Sequence, residues 1–342
     1  MRVFLQGGTG VLVGLLIILG ILVFAAVALA VATPLPVVWM MRRAGAGESH
    51  AGLPVDEEQC CRETVIVKRD LPYPSKDGRN RYDFYLPRDA KGAVPVVVWI
   101  HGGAFIAGDK SGVEPWGMML AAHGYAVAAV DYQWAPEISY PGQARQAQEC
   151  LAELQRVANT GTAPIDMHRV VLAGDSAGAF LAAQTALILS CPAYAHEVGI
   201  APALDSSIIR ATLLFCGPYD VREILKVEDA RLQFLVRRLG WAFMGKRNWC
   251  KDEALATTVI KDFATASFPP SFISDGNGFS FEREGRELAK VLADTGVHVE
   301  TLFFPKEEGK TVDHEYQMGL NTPEGWLAWE RVARFLASLG LP

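Results

Sequence analysis

The sequence predicts an α/β fold with a mostly parallel central sheet and helices on both of its faces. Two alternating segments, Arg62–Arg69 and Arg81–Leu86, are joined by a turn rich in proline and glycine, which indicates a pair of antiparallel strands. A series of short, mainly apolar runs follows, of which the first two are continuous, as is typical of parallel strands that are buried on both faces. These runs are Val94–Ile100, Tyr125–Val130, Val170–Ala173, Ile208–Phe215, Ser271–Ser274 and His298–Phe304.

Helical patterns separate the predicted strands. Apolar residues recur there at spacings of three and four, which predicts amphipathic helices. These helices cover Val113–His123, Gln143–Asn159, Ala177–Ser190, Phe281–Thr295 and Glu324–Leu339. Repeated strand–helix units place helices on both faces of a parallel sheet. Ligands of such sheets bind beyond the carboxyl ends of the strands, so candidate site residues are those that directly follow each strand.

Composition excludes several classes of function. The chain has 342 residues and a formal net charge of −6, and it contains no basic stripe, so we expect no nucleic-acid partner. None of the six cysteines forms a C-x-x-C pair, and no histidine–cysteine cluster has the spacing of zinc ligands. We therefore predict neither a metal nor a cofactor. The sequence does not indicate an oligomeric state.

The N-terminal segment is unusually apolar. No charged side chain occurs from Val11 to Ala32. These residues, about 22 in number, match the hydrocarbon thickness of a bilayer. We expect residues 1–43 to form a single-pass anchor, although Ala28-Leu29-Ala30 also resembles a signal-peptide cleavage site. Positive charges on the two sides are nearly balanced, and we expect an extracytoplasmic catalytic domain because enzymes with such anchors are usually placed there.

The remaining chain is long enough for one large domain. Residues 44–61 are rich in glycine, alanine and acidic side chains, which indicates a linker. Residues 62–342 then form the predicted catalytic domain. Within it, residues 221–268 contain helix-like stretches and no clear strand, and we interpret them as a cap-like insertion over the carboxyl edge of the sheet.

Gly174-Asp175-Ser176-Ala177-Gly178 has the pattern G-x-S-x-G between a short predicted strand and an apolar helix. A nucleophile elbow needs this strand–turn–helix context, since the turn exposes the serine hydroxyl at a helix N-terminus. Ser176 is therefore the candidate nucleophile. The alternative is a serine that only caps the helix.

A second glycine-containing motif, His101-Gly102-Gly103-Ala104-Phe105, directly follows the strand Val94–Ile100. Backbone N–H groups at such a position can stabilise the negative charge that develops on an ester carbonyl oxygen. We expect the amides of Gly102, Gly103 and Ala177 to form this oxyanion hole. The alternative is a simple Gly-Gly turn.

A serine hydroxyl needs a base, and the base needs an acid that orients it. Asp275 follows the strand Ser271–Ser274, and His314 lies in the loop after the last strand. The chain order Ser, Asp, His agrees with the G-x-S-x-G arrangement. Asp220 also follows a strand and is the rival acid. We interpret the segment Asp131–Glu137 as a structural loop in which acidic side chains make local hydrogen bonds.

Together these motifs resemble those of the hormone-sensitive-lipase-like carboxylesterases of the α/β-hydrolase superfamily. The resemblance extends from about Arg62 to the C-terminus. It implies hydrolysis of small-molecule carboxylic esters without a cofactor, with Ser176 as nucleophile, His314 as base, Asp275 as orienting acid, and Gly102 and Gly103 as oxyanion donors.

The sequence departs from that family in three places. Ala104 replaces a third glycine, Gln133-Trp134 replaces Arg-Leu, and Glu315-Tyr316 replaces Gly-Phe after the histidine. These changes leave the predicted triad intact and affect the expected pocket. Two alternative functions stay open: a membrane-associated acyltransferase or lipase with the same triad, and a non-catalytic binding protein on this fold.

Overall fold

The computed structural model describes residues 3–45, 52–305 and 309–342. The strands are β1 (Val65–Pro72), β2 (Arg81–Pro87), β3 (Val94–Ile100), β4 (Ala126–Val130), β5 (Ile165–Asp175), β6 (Ile209–Phe215), β7 (Ser271–Asp275) and β8 (Val299–Phe303). They form one sheet in the order β1-β2-β4-β3-β5-β6-β7-β8. β2 is antiparallel to both of its neighbours, and all other pairs are parallel. The predicted mostly parallel sheet is therefore confirmed.

Eleven α-helices occur in the described residues. They are α1 (Val3–Ala32), α2 (Leu35–Arg43), α3 (Val55–Thr64), α4 (Glu114–Ala122), α5 (Gly142–Asn159), α6 (Ala177–Ser190), α7 (Pro192–Val198), α8 (Ala230–Met244), α9 (Ile260–Phe263), α10 (Glu282–Asp294) and α11 (Pro323–Ser338). α5, α6 and α10 cover one face of the sheet, and α4 and α11 cover the other.

Two cores lie on opposite sides of the sheet because successive side chains of a strand point to opposite faces. In β3, Val96 and Val98 pack in the core with α5 and α6, whereas Val97 and Trp99 pack in the core with α4 and α11. This double burial explains why β3 and β4 appear in the sequence as continuous apolar runs. Because the strands from β4 to β8 pair in parallel, their carboxyl ends lie along one edge of the sheet.

The first predicted strand begins later than expected. Residues 55–64 form α3, and β1 starts at Val65 instead of Arg62. Pro54 precedes α3, and three acidic residues in its first turn favour helix because they complement the helix dipole. The segment predicted as a linker, 44–61, therefore contains helix from Val55 onward. Residues 46–51 of that segment lie outside the described residues.

The N-terminal part of the chain forms a long apolar helix followed by a short one. Leu12–Ala32, 21 residues of α1, is long and apolar enough to cross a membrane. A signal sequence near an N-terminus can have the same length and apolar composition. α2 packs against α8, with Val38 and Ala242 both buried at the contact. Arg42 at the end of α2 binds Glu137 through both guanidinium Nη atoms, at 2.8 and 2.7 Å.

This ion pair corrects the interpretation of the Asp131–Glu137 loop as one held by local hydrogen bonds. Glu137 binds a residue 95 positions away, and Arg42 also donates to the carbonyl oxygens of Ile106 and Ala135. Asp131 accepts hydrogen bonds from the Lys110 amide at 2.9 Å and from Arg79 at 3.1 Å. The loop is therefore a tertiary junction, which spacing along the sequence does not reveal.

Residues 221–268 are helical where they are regular. They contain α8, α9 and three short 3-10 helices, Glu223–Lys226, Trp249–Lys251 and Glu253–Thr258. α8 begins at the N-cap Asp229, whose side chain accepts from the Arg231 and Leu232 amides, and ends at Gly245 in the left-handed conformation. The division of the chain into anchor, linker and catalytic domain stays a prediction.

Candidate active site

Ser176 lies at a sharp turn between β5 and α6. Its φ of 50° and ψ of −120° are strained for a side chain with a Cβ atom. The flanking glycines permit the turn, because a Cβ atom on Gly178 would lie 2.0 Å from the Ile100 carbonyl oxygen and one on Gly174 would lie 2.4 Å from the Gly178 backbone. The Ser176 side chain makes no capping hydrogen bond, so the alternative of a simple helix cap is wrong.

His314 reaches Ser176 from the loop after β8. Its Nε2 atom lies 2.8 Å from the Ser176 Oγ atom. Its Nδ1 atom lies 3.8 Å from Oδ1 of Asp275, the last residue of β7. Both of these facing atoms are buried and have no hydrogen-bond partner among the described residues. The other oxygen of Asp275 accepts from the Phe281 amide at 2.7 Å, which fixes the carboxylate.

Asp220, the rival acid, forms an ion pair with Arg222. Both of its carboxylate oxygens accept from the Arg222 guanidinium, at 2.9 and 2.8 Å. Burial raises the pKa of Asp220, but the hydrogen bonds and charge of Arg222 outweigh it and lower the pKa below its ordinary value. Among the contacts of the described residues, Asp220 has none with His314.

The candidate oxyanion donors are not equivalent. The Gly102 amide donates to Oδ2 of Asp175 at 2.7 Å, so it is occupied in a way that the sequence did not predict. The amides of Gly103 and Ala177 donate to no acceptor among the described residues, and neither does the amide of Ala104. Ala104 and Ala177 line a pocket with Ser176. Ala104 was not among the predicted donors because the motif places glycine, not alanine, at the donor positions.

Two carboxyl groups, the buried Asp175 and the half-buried Glu315, lie beneath the oxyanion loop. A Cβ atom on Gly102 would be 2.5 Å from an oxygen of each, so only glycine fits between them. Asp175 also accepts from Trp99 Nε1 at 2.7 Å. Burial raises the pKa of Glu315, and the neighbouring Asp175 charge raises it further. The departure from glycine after His314 was the only sequence signal for this pair.

The pKa of His314 is set by opposing effects. Burial lowers it, but the Asp275 carboxylate and the charge of Glu315 outweigh burial and raise the pKa above 6.5. A general base must be neutral, so activity that depends on His314 should rise as the pH increases through this raised pKa.

Replacing Glu315 with glutamine should move the acid limb of the kcat/KM profile to lower pH. The pKa of Glu315 is raised to about 7, so its charge develops within this limb. The substitution removes that charge, which raises the pKa of His314, and the imidazole then becomes neutral at a lower pH. Asp313→Asn is the matched control, because Asp313 is exposed and flanks His314 on the other side. The measurement is kcat/KM for a soluble ester between pH 5 and 9. An unchanged midpoint in Glu315→Gln, or an equal shift in Asp313→Asn, would contradict the expectation.

An apolar pocket of about 130 Å³ opens beside Ser176. Phe105, Phe243 and Phe281 contribute aromatic walls, and Val236 and Leu239 of α8 close one side. The Phe105 and Phe243 rings stack with centroids 3.9 Å apart, and the Phe281 and His314 rings are nearly perpendicular with centroids 5.5 Å apart. The pocket therefore suits a small apolar group bonded to a carbonyl that Ser176 can reach.

One group of side chains in the described part of the chain has the spacing of metal ligands: the ligand atoms of Cys216, Asp275 and His314 lie within 4.8 Å of one another. Burial raises the pKa of the Cys216 thiol far above its ordinary value. A metal ligand must be the thiolate, so this cysteine is a poor ligand. Its Sγ atom lies 3.3 Å from Gln317 Oε1 and 3.4 Å from the Glu315 amide, which positions the histidine loop.

Comparison with known proteins places the chain in a family. The family model BD-FAE matches residues 82–278, more than half of the 342 residues. A probable isoprenylcysteine alpha-carbonyl methylesterase from Arabidopsis thaliana is 35% identical over 252 residues, which cover 72% of this chain and 50% of that protein. The kynurenine formamidase of Danio rerio is 30% identical over 167 residues, covering 48% of this chain and 50% of that protein. The chain thus spans about half the length of these curated relatives.

Solved structures share the fold. Esterase B from Lactobacillus rhamnosis has a TM-score of 0.70 at 22% identity, covering 92% of this chain and 95% of that one. The bacterial heroin esterase has a TM-score of 0.61 at 25% identity, covering 81% and 84%. The chain belongs to the BD-FAE family within the α/β-hydrolase superfamily, and its resemblance to carboxylesterases of that superfamily is confirmed.

Proposed function

We propose that this protein hydrolyses carboxylic esters through a Ser176–His314–Asp275 triad. The observation that carries the proposal is the 2.8 Å distance from His314 Nε2 to Ser176 Oγ, at a turn that exposes the serine to an apolar pocket. This is hydrogen-bond reach for a general base. The membership of the chain in a family with esterase relatives supports the same reaction.

The reaction proceeds in two halves. His314 takes the hydroxyl proton as Ser176 Oγ bonds to the ester carbonyl carbon, and the amides of Gly103, Ala104 and Ala177 donate to the resulting oxyanion. As the tetrahedral intermediate collapses, the bond to the leaving alcohol breaks and His314 returns the proton to it. Water then attacks the acyl-enzyme with His314 again as the base, and the acid is released.

Asp275 holds the imidazolium that forms in each half of the reaction. Its Oδ1 atom is 3.8 Å from His314 Nδ1, longer than a hydrogen bond, and both atoms lack other partners. Catalytic hydrogen bonds are often long in free enzymes and shorten in the substrate complex. We propose that a small rotation of the His314 ring closes this gap, since Asp275 is fixed by the Phe281 amide.

The substrate is a small-molecule ester with an apolar group next to the carbonyl. The pocket of about 130 Å³ accepts a short acyl chain, while aromatic side chains exclude charged groups. The Arabidopsis relative is named as a methylesterase, and we carry over only the reaction class, ester cleavage. Neither a cofactor nor a metal enters the proposed reaction.

A chain-length series of p-nitrophenyl esters tests the proposal. We expect hydrolysis to be fastest for short acyl chains and to fall for chains that exceed the pocket. Adding an acceptor alcohol distinguishes an esterase from an acyltransferase, because a transferase would form the new ester at the expense of the free acid. Failure to hydrolyse any member of the series would refute the esterase proposal.

We further propose that α1 is a retained single-pass anchor with the catalytic domain on the extracytoplasmic side. The apolar run of 21 residues is longer than the core of a signal peptide, which supports retention. The intact mass of membrane-extracted protein tests retention. Digestion of the catalytic domain by protease added outside intact cells tests its side, and protection there would reverse the assignment.

A further inference from the structure

α8 lies between the pocket and the end of the membrane-candidate helix. Residues three and four apart share a helix face, at 100° per residue. One face lines the pocket with Val236, Leu239, Gly240 and Phe243. Phe234, Arg238 and Trp241 occupy the opposite face, which we call the outer face of α8. A helix is roughly 10 Å wide, so the pocket is about one helix diameter from whatever the outer face contacts.

The outer face of α8 contacts the last turn of α1. Arg238 Nε donates to the carbonyl oxygen of Ala30 at 2.7 Å. The final carbonyls of a helix lack intrahelical donors, and an arginine satisfies both their hydrogen bonding and the helix dipole. Leu12–Ala32 is the span long enough to cross a bilayer, so this contact places the outer face where that span ends.

The corner formed by α1 and α2 is fixed to the catalytic domain. Arg42 binds Glu137 and the carbonyl of Ile106, at 2.7 and 2.6 Å, and Val38 is buried against Ala242 of α8. A bidentate ion pair with added backbone hydrogen bonds permits only one orientation of the arginine, so these contacts fix the position of α2. The catalytic domain is thus held against the membrane end of the chain, with α8 on that side.

The segment Ala230–Lys251 is basic although the whole chain is acidic. It contains six lysines and arginines and no acidic residue, in a chain of formal net charge −6. Among the ion pairs of the described residues, the only one that involves this segment joins Lys246 to Asp252. Burial lowers the pKa of Arg238, and the like charge of Arg247 lowers it further, so these two arginines repel each other.

Aromatic side chains accompany these charges. Arg238 lies 4.6 Å from the Phe234 ring centroid and 5.7 Å from that of Trp241, which Arg247 also approaches at 5.7 Å. Trp39 of α2 is 62% exposed, with the Arg43 guanidinium 4.9 Å from its ring centroid. Tryptophan beside arginine is typical of the headgroup layer of a membrane, where the ring is half apolar and the guanidinium binds phosphate.

We propose that the outer face of α8, together with α2 and with Arg247 in the turn after α8, rests on an anionic membrane surface and so holds the pocket about one helix diameter from esters embedded in that membrane. This proposal rests on the proposed esterase function and names its substrate class: an ester whose short acyl group enters the pocket while a long apolar tail stays in the bilayer. Arg238 and Arg247 have no acidic partner in an ion pair among the described residues, and the phosphates of anionic lipids would supply the negative charge that pairs with them.

A pair of substrates with the same scissile bond tests this proposal. Methylumbelliferyl butyrate is water-soluble, whereas heptadecylumbelliferyl butyrate is held in the bilayer. The full chain is reconstituted in nanodiscs of phosphatidylcholine, with or without phosphatidylglycerol. We expect wild type to cleave the embedded ester faster in the anionic discs. Arg238→Gln combined with Arg247→Gln should slow that reaction at least about fivefold. Cleavage of the soluble ester should stay within about twofold.

Arg334→Gln serves as the matched control, because Arg334 is an exposed arginine of α11 whose hydrogen bond goes to the Glu330 carbonyl. It should leave both reactions unchanged. Equal wild-type rates in the two kinds of disc would overturn the proposal. So would a loss in the double variant that affects both substrates equally, since that pattern reports damage to the fold. Absence of wild-type activity on the soluble ester is a separate outcome, which refutes the esterase function itself.

Discussion

Ser176→Ala should abolish ester hydrolysis and leave the fold intact. In serine hydrolases, removing the nucleophile lowers kcat by roughly 10⁵- to 10⁶-fold, because the other triad members act only through it. The cost in stability should be small. The Ser176 hydroxyl makes no helix-capping hydrogen bond, and its contact is with His314 Nε2 at 2.8 Å. Alanine experiences the same strained φ of 50°, so the substitution adds no new backbone strain.

The measurement combines turnover of p-nitrophenyl butyrate with labelling by a fluorophosphonate probe, which reacts only with an activated serine. Wild type should label with one equivalent and Ser176→Ala with none. Ser274→Ala is the control, because Ser274 is another buried serine at the end of a strand, and its hydroxyl donates to Leu302. Retained labelling in Ser176→Ala would move the nucleophile elsewhere. No labelling of folded wild type would favour the non-catalytic binding protein.

The fold was predictable because its signals are local. The runs that became β3 and β4 are apolar throughout, because a strand buried on both faces admits little else, and β5 to β7 each contain a shorter apolar stretch. The elbow was predictable for a similar reason: a strand, a G-x-S-x-G turn and an apolar helix occur in adjacent residues. α3 was missed because its acidic first turn resembles a linker in composition, whereas the helix gains its stability from packing against α4.

Details of the site that depend on distant residues were not predictable. The Gly102 amide was expected at the oxyanion, but Asp175 accepts its hydrogen bond. Nothing in the local motif distinguishes a glycine amide that faces the substrate from one that faces a buried carboxylate. The ion pair of Arg42 with Glu137 likewise joins residues 95 positions apart. Such pairs follow from the packing of the whole chain, not from sequence spacing.

The assignment of Asp275 over Asp220 leads to the second large expected effect. Asp275→Asn should lower kcat about 10⁴-fold, because an amide cannot stabilise the imidazolium and favours the wrong tautomer of His314. Asp220→Asn is the matched control: both side chains are almost fully buried, Asp275 is the last residue of β7, and Asp220 lies in the loop after the neighbouring strand β6. Asparagine at 220 loses the ion pair with Arg222, so it should lower thermal stability while kcat changes less than about tenfold.

The two variants distinguish two roles of a buried acid near the site: Asp275→Asn reports on the orientation of His314, and Asp220→Asn reports on the stability of the surrounding structure. Asp220 accepts from Arg222 through both oxygens, whereas Oδ1 of Asp275 has no hydrogen-bond partner among the described residues and faces His314 Nδ1 at 3.8 Å. An unpartnered buried carboxylate oxygen is costly, and a protonated imidazole is the group at this position that relieves the cost. The acid therefore acts most when His314 is charged, during turnover. A large loss of kcat in Asp220→Asn together with a small loss in Asp275→Asn would reverse the assignment.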